Sequence, residues 1–209
     1  MGVGIVLYLL DRDAQTVRWN GRPLHEATKA EISEFVNGDY ILKVDYPITD
    51  TEIYKLFRED MLIIAPTPIT GRQLFRIKDI LEQDDIITLT CPHITEDVWK
   101  RYIKPISVAN TSAQTALNEM IAGSKTDLGQ FTFYSDILDK RTFNTTEDET
   151  LYKVLMDGKH SIVGAWEGEL VRDNFLISLK KHRGQNRGVV ITTHQNLKKY
   201  ERNRSSSSV

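Results

Sequence analysis

The stretch Ser161–Asn196, SIVGAWEGELVRDNFLISLKKHRGQNRGVVITTHQN, constrains this chain most. Ser161–Glu167 is short, aromatic and broken by glycine. Glu169–Lys181 alternates, with Leu170, Phe175, Ile177 and Leu179 on or near one face and charged residues between. The polar turn HRGQNRG leads to Val189–Thr193, a β-branched run. Period-two alternation bounded by Gly and Asn predicts three half-buried antiparallel strands here.

The rest of the chain divides by its periodicity. Val3–Leu10 and Thr16–Trp19 predict an opening hairpin, and Leu24–Val36 a strand. Asn37-Gly38 predicts a tight turn, because both residues tolerate positive φ. Tyr40, Leu42, Val44 and Tyr46 alternate cleanly up to Pro47. Asp50 or Thr51 can cap one helical turn through Phe57. Met61–Ala65, Gln73–Ile80 and Ile86–Cys91 follow as strands, the last two across the acidic turn Glu82–Asp85. Helical patterns then appear: Thr95 through Ile103; one capped by Thr111 or Ser112 and running to Ala122, with Ala113, Ala116, Leu117, Met120 and Ile121 as its stripe; and Glu147–Met156. Phe131–Tyr134 is a short strand between them.

The order is therefore β-rich, α-rich, β-rich. It predicts an α+β, mainly β chain, in which a barrel-like or sandwich β domain (1–94 plus 159–204) is interrupted by an inserted α+β domain (95–158). The segment SSSSV at 205–209 is expected to be disordered. With 209 residues there is enough chain for such a core. One cysteine precludes an internal disulfide. Val3–Leu10 is too short for a membrane span and lacks the flanks of a secretory signal.

No convincing active site emerges. Cys91, the single thiol, lies between Thr90 and Pro92 with His93 two residues on; a cysteine peptidase would need His160, His182 or His194 brought to it by the fold. The five histidines (25, 93, 160, 182, 194) lack metal-ligand spacing, and no phosphate loop or nucleophile elbow follows a strand. Catalytic, cofactor and metal sites are all expected to be absent. Arg172 and Asn174 would share one strand face and Asp173 the other, which suits cross-strand pairing or a subunit contact better than catalysis. Trp166 and Phe175 are expected in the core. The 180–204 end holds eight bases (Lys180, Lys181, Arg183, Arg187, Lys198, Lys199, Arg202, Arg204) and one acid, Glu201, on an otherwise acidic body. It is either a solvated hairpin tip or a surface for nucleic acid.

GAWEGELVRDNFLISL followed by Arg-Gly and GVVITTHQNL, with its ordered Glu169, Arg172, Asp173, Asn174 and Phe175, resembles the N-terminal region of the phage tail endopeptidase, or tail-associated lysin, family. Glu34-Phe-Val-Asn-Gly-Asp-Tyr, running into Ile41–Tyr46 and Pro47, resembles that family's early hairpin. The resemblance touches both ends of the chain. It implies a virion structural protein at the distal tip of a siphophage tail: a hub segment that forms a homotrimeric ring, closes the tail tube, joins the distal tail protein and opens for DNA. Tail-tube and tape-measure proteins are further implied partners. It also implies a first barrel-like domain interrupted by a second. Family members continue past the Asn-Leu position and carry their peptidase far downstream, so this chain is expected to be a piece of such a protein and not itself an enzyme.

Overall fold

A computed structural model describes residues 6–18 and 21–184. The first half contributes eight strands: β1 (Tyr8–Leu10), β2 (Arg22–Pro23), β3 (Lys29–Glu34), β4 (Tyr40–Pro47), β5 (Leu62–Thr67), β6 (Gly71–Arg76), β7 (Asp79–Gln83) and β8 (Ile86–Pro92). They form two antiparallel four-stranded sheets, ordered β2-β1-β5-β6 and β3-β4-β8-β7. Both sheets give side chains to one core: Leu9, Ile63 and Phe75 from the first, Leu42, Val44, Tyr46 and Leu89 from the second. This is a sandwich, not a closed barrel. In β4 the period-two pattern buries Tyr40, Leu42, Val44 and Tyr46 and turns Lys43 outward.

The predicted strand Gln73–Ile80 is two strands. The chain changes sheets at Ile77 and Lys78: Ile77 N–H donates to Met61 O at 2.8 Å, and Lys78 N–H to Thr90 O at 3.0 Å. The switch makes a corner of the sandwich. The turn at Asn37 is a wider tip closed by Phe35 N–H to Asp39 O at 2.9 Å, with Asn37 itself at φ 54°. The opening hairpin is shorter than expected. Thr16–Arg18 form no strand, and Trp19 lies outside the described residues.

The second half holds α1 (Glu96–Trp99), β9 (Tyr102–Ile103), β10 (Ser107–Thr111), α2 (Ala113–Ala122), β11 (Thr132–Ser135), β12 (Arg141–Asn144), β13 (Glu149–Thr150), α3 (Leu151–Met156), α4 (Ile162–Trp166), β14 (Glu169–Asp173) and β15 (Leu176–Lys180). In α2 the hydroxyl of Ser112 caps the helix by accepting from Thr115 N–H at 3.4 Å, and Ala113, Ala116, Leu117 and Met120 are buried. Two predicted helices are cut short. Tyr102–Ile103 leaves the first to pair with β13, and Thr150 caps the third by accepting from Lys153 N–H.

Two strand assignments are corrected. Ser161–Glu167 is helical: Ser161 Oγ accepts from Gly164 N–H at 3.0 Å, and Ile162, Val163 and Trp166 are buried at helical spacing. The β-branched and aromatic composition suggested a strand, but capping and an i to i+4 apolar pair set the backbone. Glu169–Lys181 is not one strand but the hairpin β14–β15. Its turn is at Asn174, with φ 51°. Arg172 and Asn174 therefore do not share a strand face. Val189–Thr193 lies outside the described residues.

The hairpin β14–β15 does not pair with strands of residues 1–94. β15 pairs in parallel with β11 and antiparallel with β14. Leu170, Ile177 and Leu179 share a core with Val98, Leu117, Phe133 and Trp166. By strand pairing, residues 159–180 thus belong with 95–158, where the β-α-β order had suggested a return to the first sheets. They reach the sandwich through turns and side chains. The Phe131 and Phe175 rings, 5.2 Å apart edge to face, lie against its Leu10, Leu62, Ile64, Leu74 and Ile94.

Trp166 sits fully buried in the second core, and its Nε1–H donates to Asp139 O at 2.9 Å. Trp166→Ala removes this contact and leaves a cavity, with an expected loss of about 3–5 kcal/mol. A urea melt of the variant beside the parent chain measures it.

Candidate functional site

The chemistry-bearing residues of the two motif segments converge on a polar seam between the halves. Strand β14 is an edge of its sheet, and so is β6. Each edge presents backbone groups that need partners. Asn37, in the β3–β4 tip, serves the first: Leu170 N–H donates to its Oδ1 at 2.7 Å, and its Nδ2 donates to Gly168 O at 2.9 Å. Asn174, in the β14–β15 tip, serves the second: Leu74 N–H donates to its Oδ1 at 2.9 Å, and its Nδ2 donates to Arg72 O at 3.0 Å. A side-chain amide carries the same donor–acceptor pair as a peptide group, so each asparagine acts as one residue of an added strand. Both hold positive φ, which Asn adopts more readily than most residues.

Gln73 and Asp173 complete the Asn174 end. Gln73 Nε2 donates to Asp173 Oδ1 at 2.8 Å, while Gln73 Oε1 accepts from Asn174 N–H at 2.7 Å. The same Oε1 faces His93 Nε2 at 3.1 Å. An amide oxygen only accepts, so Nε2 carries the proton. Nδ1 is then free to accept from Thr95 at 3.0 Å. Burial first, and then the nearby Arg172 charge, push His93 down to about 3, so the ring is neutral.

Arg172 fills the middle of the seam. Its guanidinium donates to Gly38 O at 2.7 Å and Phe35 O at 3.3 Å, and lies 5.0 Å over the Tyr40 ring. The opposite face of Tyr40 stacks on His93 at 4.6 Å. Burial pushes Arg172 down from its usual value, and Glu34, 3.9 Å away, pulls it back up. Arg183 closes the same end, 2.9 Å from Glu34.

Of the expected residues, Arg172, Asp173 and Asn174 meet here, in contacts internal to the chain. His93 joins them, and not Cys91. Cys91 lies in the sandwich core, fully buried opposite Leu42, where burial pushes its thiol up to about 12. A protonated, inaccessible thiol is no nucleophile. His25, His160 and His182 are exposed, His160 against the Phe143 ring, and His194 lies outside the described residues. Among the described residues no group of three His, Cys, Asp or Glu could hold a metal ion. Of the basic end, Lys180 faces Asp136, Lys181 pairs with Asp139 and Arg183 with Glu34. Arg187, Lys198, Lys199, Arg202 and Arg204 lie outside the described residues. Glu34, Asn37, Tyr40 and Gln73 were not singled out as site residues. Asn37 stands in the sequence as a turn signal within the Glu34–Tyr40 motif.

Asn174→Gly and Asn37→Gly each keep the left-handed backbone and remove the amide. Each should cost about 1–3 kcal/mol in urea unfolding, the penalty for orphaned edge groups. The neutral His93 adds a pH dependence. Folded, it stays unprotonated down to about pH 3; unfolded, it takes up a proton from about pH 6.5. Only the unfolded chain gains that proton in between, so stability falls as pH falls through this window, by about 1 kcal/mol per unit. Between pH 6.5 and 5, before most carboxylates titrate, His93→Gln should flatten the slope of urea-derived stability against pH.

No family model matches this chain, and no curated protein does. Solved structures do. The prophage tail protein gp18 from Listeria monocytogenes EGD-e aligns over 85% of this chain and 50% of its own, with TM-score 0.62 at 14% identity. A tail protein from Neisseria meningitidis MC58 aligns over 84% of this chain and 50% of its own, with TM-score 0.55 at 8% identity. The 43 kDa tail protein of prophage MuSo2 from Shewanella oneidensis aligns over 93% of this chain and 58% of its own, with TM-score 0.52 at 12% identity. This chain thus spans about half the length of the tail proteins whose fold it shares.

Proposed function

We propose that this chain is a structural segment of a phage tail: the N-terminal hub part of a protein of the tail-associated lysin kind. In this reading it sits in the virion at the distal tip, forms a homotrimeric ring, binds the distal tail protein, and leaves peptidoglycan cleavage to a downstream region. The observation that carries the reading is the shared fold with a prophage tail protein across 85% of the chain. It is supported by where the residues of the Glu34–Tyr40 and Glu169–Phe175 motifs go. They lock two halves together, which suits a rigid building block.

The work of such a protein is assembly. A ring needs a head-to-tail contact between two different surfaces of each copy. The sandwich offers exposed apolar side chains at Phe35 and Val36 beside the seam, and the strand β7, exposed along its whole length with Ile80 and Leu81 outward. The second half offers Leu138, the most exposed large apolar residue among those described.

Light scattering after size exclusion tests the reading, with the chain alone and mixed with the distal tail protein. A mass near 72 kDa, three copies of a 24.0 kDa chain, or co-elution with that partner is expected. A monomer at every concentration that never co-elutes with the distal tail protein contradicts it.

A further inference from the structure

The described cations of the basic end each face a carboxylate, Asp136, Asp139 or Glu34. The segment Lys100-Arg101-Tyr102-Ile103-Lys104 gathers three cations around one tyrosine. Among the described residues no carboxylate lies in ion-pair reach of Lys100, Arg101 or Lys104, and all three are exposed. Between them Tyr102 stands 54% exposed, while Ile103 is fully buried beneath. In the two-residue strand β9 Tyr102 faces outward and Ile103 inward, and the exposed Lys100 and Lys104 lie two residues to either side in sequence.

The neighbouring chain extends the strip. Lys125 N–H donates to Tyr102 O at 2.9 Å, and Lys104 N–H donates to Gly123 O at 2.9 Å, so Lys125 flanks the ring. Lys100, Arg101, Tyr102, Lys125, Thr126 and Asp148 line a shallow cleft. Asp148, the one acid in it, is already engaged by the Lys125 ammonium.

We propose that this cleft binds single-stranded nucleic acid, with phosphates on Lys100 and Arg101 in the cleft and on Lys104 beyond its lining, and a base stacked on Tyr102. Cations beside a free aromatic face are the elements that hold an unpaired strand without reading its sequence. A duplex would hide the base faces the ring needs. This inference stands on the cleft alone and does not depend on the tail reading.

Fluorescence anisotropy of a labelled oligothymidylate, titrated with the full chain at low salt, tests it. Tyr102→Ala should weaken binding about 5- to 150-fold, and Tyr102→Phe, which keeps the ring, should bind as the parent does. Lys100→Glu with Lys104→Glu should weaken binding and make the dependence of log K on log salt shallower by about 1.4, for two lost phosphate contacts on a single strand. Circular dichroism melts of each variant check that folding is unchanged. No binding by the parent chain overturns the proposal. So does binding that ignores all of these substitutions, or binding that is lost only with Lys198→Glu and Lys199→Glu.

Discussion

Two asparagine side chains stand in for peptide groups, and the joining of the two halves depends on them. A sandwich edge at β6 and a three-stranded edge at β14 each end in unpaired backbone groups. Each half supplies, from a hairpin tip, the one amide the other edge needs. The exchange is reciprocal, so neither contact can open without exposing polar groups of both halves. Around it, Arg172, Tyr40 and His93 form a buried stack in which an arginine charge is held by carbonyls and an aromatic face. Buried charge on this pattern costs solvation, which the hydrogen bonds must offset. It fixes one geometry where an apolar contact would tolerate several.

That arrangement explains where the reactive side chains went. His93 is neutral because burial and the nearby Arg172 charge disfavour its protonated form, and Gln73 and Thr95 fix its tautomer. Cys91 is locked away from solvent in the sandwich. Asp173 is tied to Gln73. Residues that could serve chemistry elsewhere hold up architecture in this seam.

Much of the sandwich was legible from residues alone. Strict alternation in Tyr40–Pro47 and the apolar run at Leu62–Ala65 left little choice of structure, and the stripe from Ala113 marked α2, though Thr111 competed with Ser112 as its cap and Ile121, read into the stripe, is exposed. The hairpin at Glu169–Lys180 was hidden because its turn is Asn174-Phe175, without the glycine that usually announces one. The helix at Ile162–Trp166 was hidden by its β-branched composition. Its cap, Ser161, became readable only with Gly164 in view. The division of the chain was hardest. Alternating residues show that a strand has an inner face, but not which sheet it joins, and the parallel pairing of β15 with β11 spans some forty residues of intervening structure. The seam was present in the sequence as two motif segments at opposite ends of the chain. Nothing local said that Asn37 and Asn174 would serve each other's edges.

The most direct measurement is native-state hydrogen exchange at the amides of Leu74 and Leu170. Both sit on strand edges where, without the asparagine side chains, they would face solvent. If the reciprocal amide exchange holds the halves together, both protons exchange slowly and with the same free energy, that of global unfolding. Fast exchange at either amide, at the rate of a free strand edge while the two cores stay protected, would contradict the account.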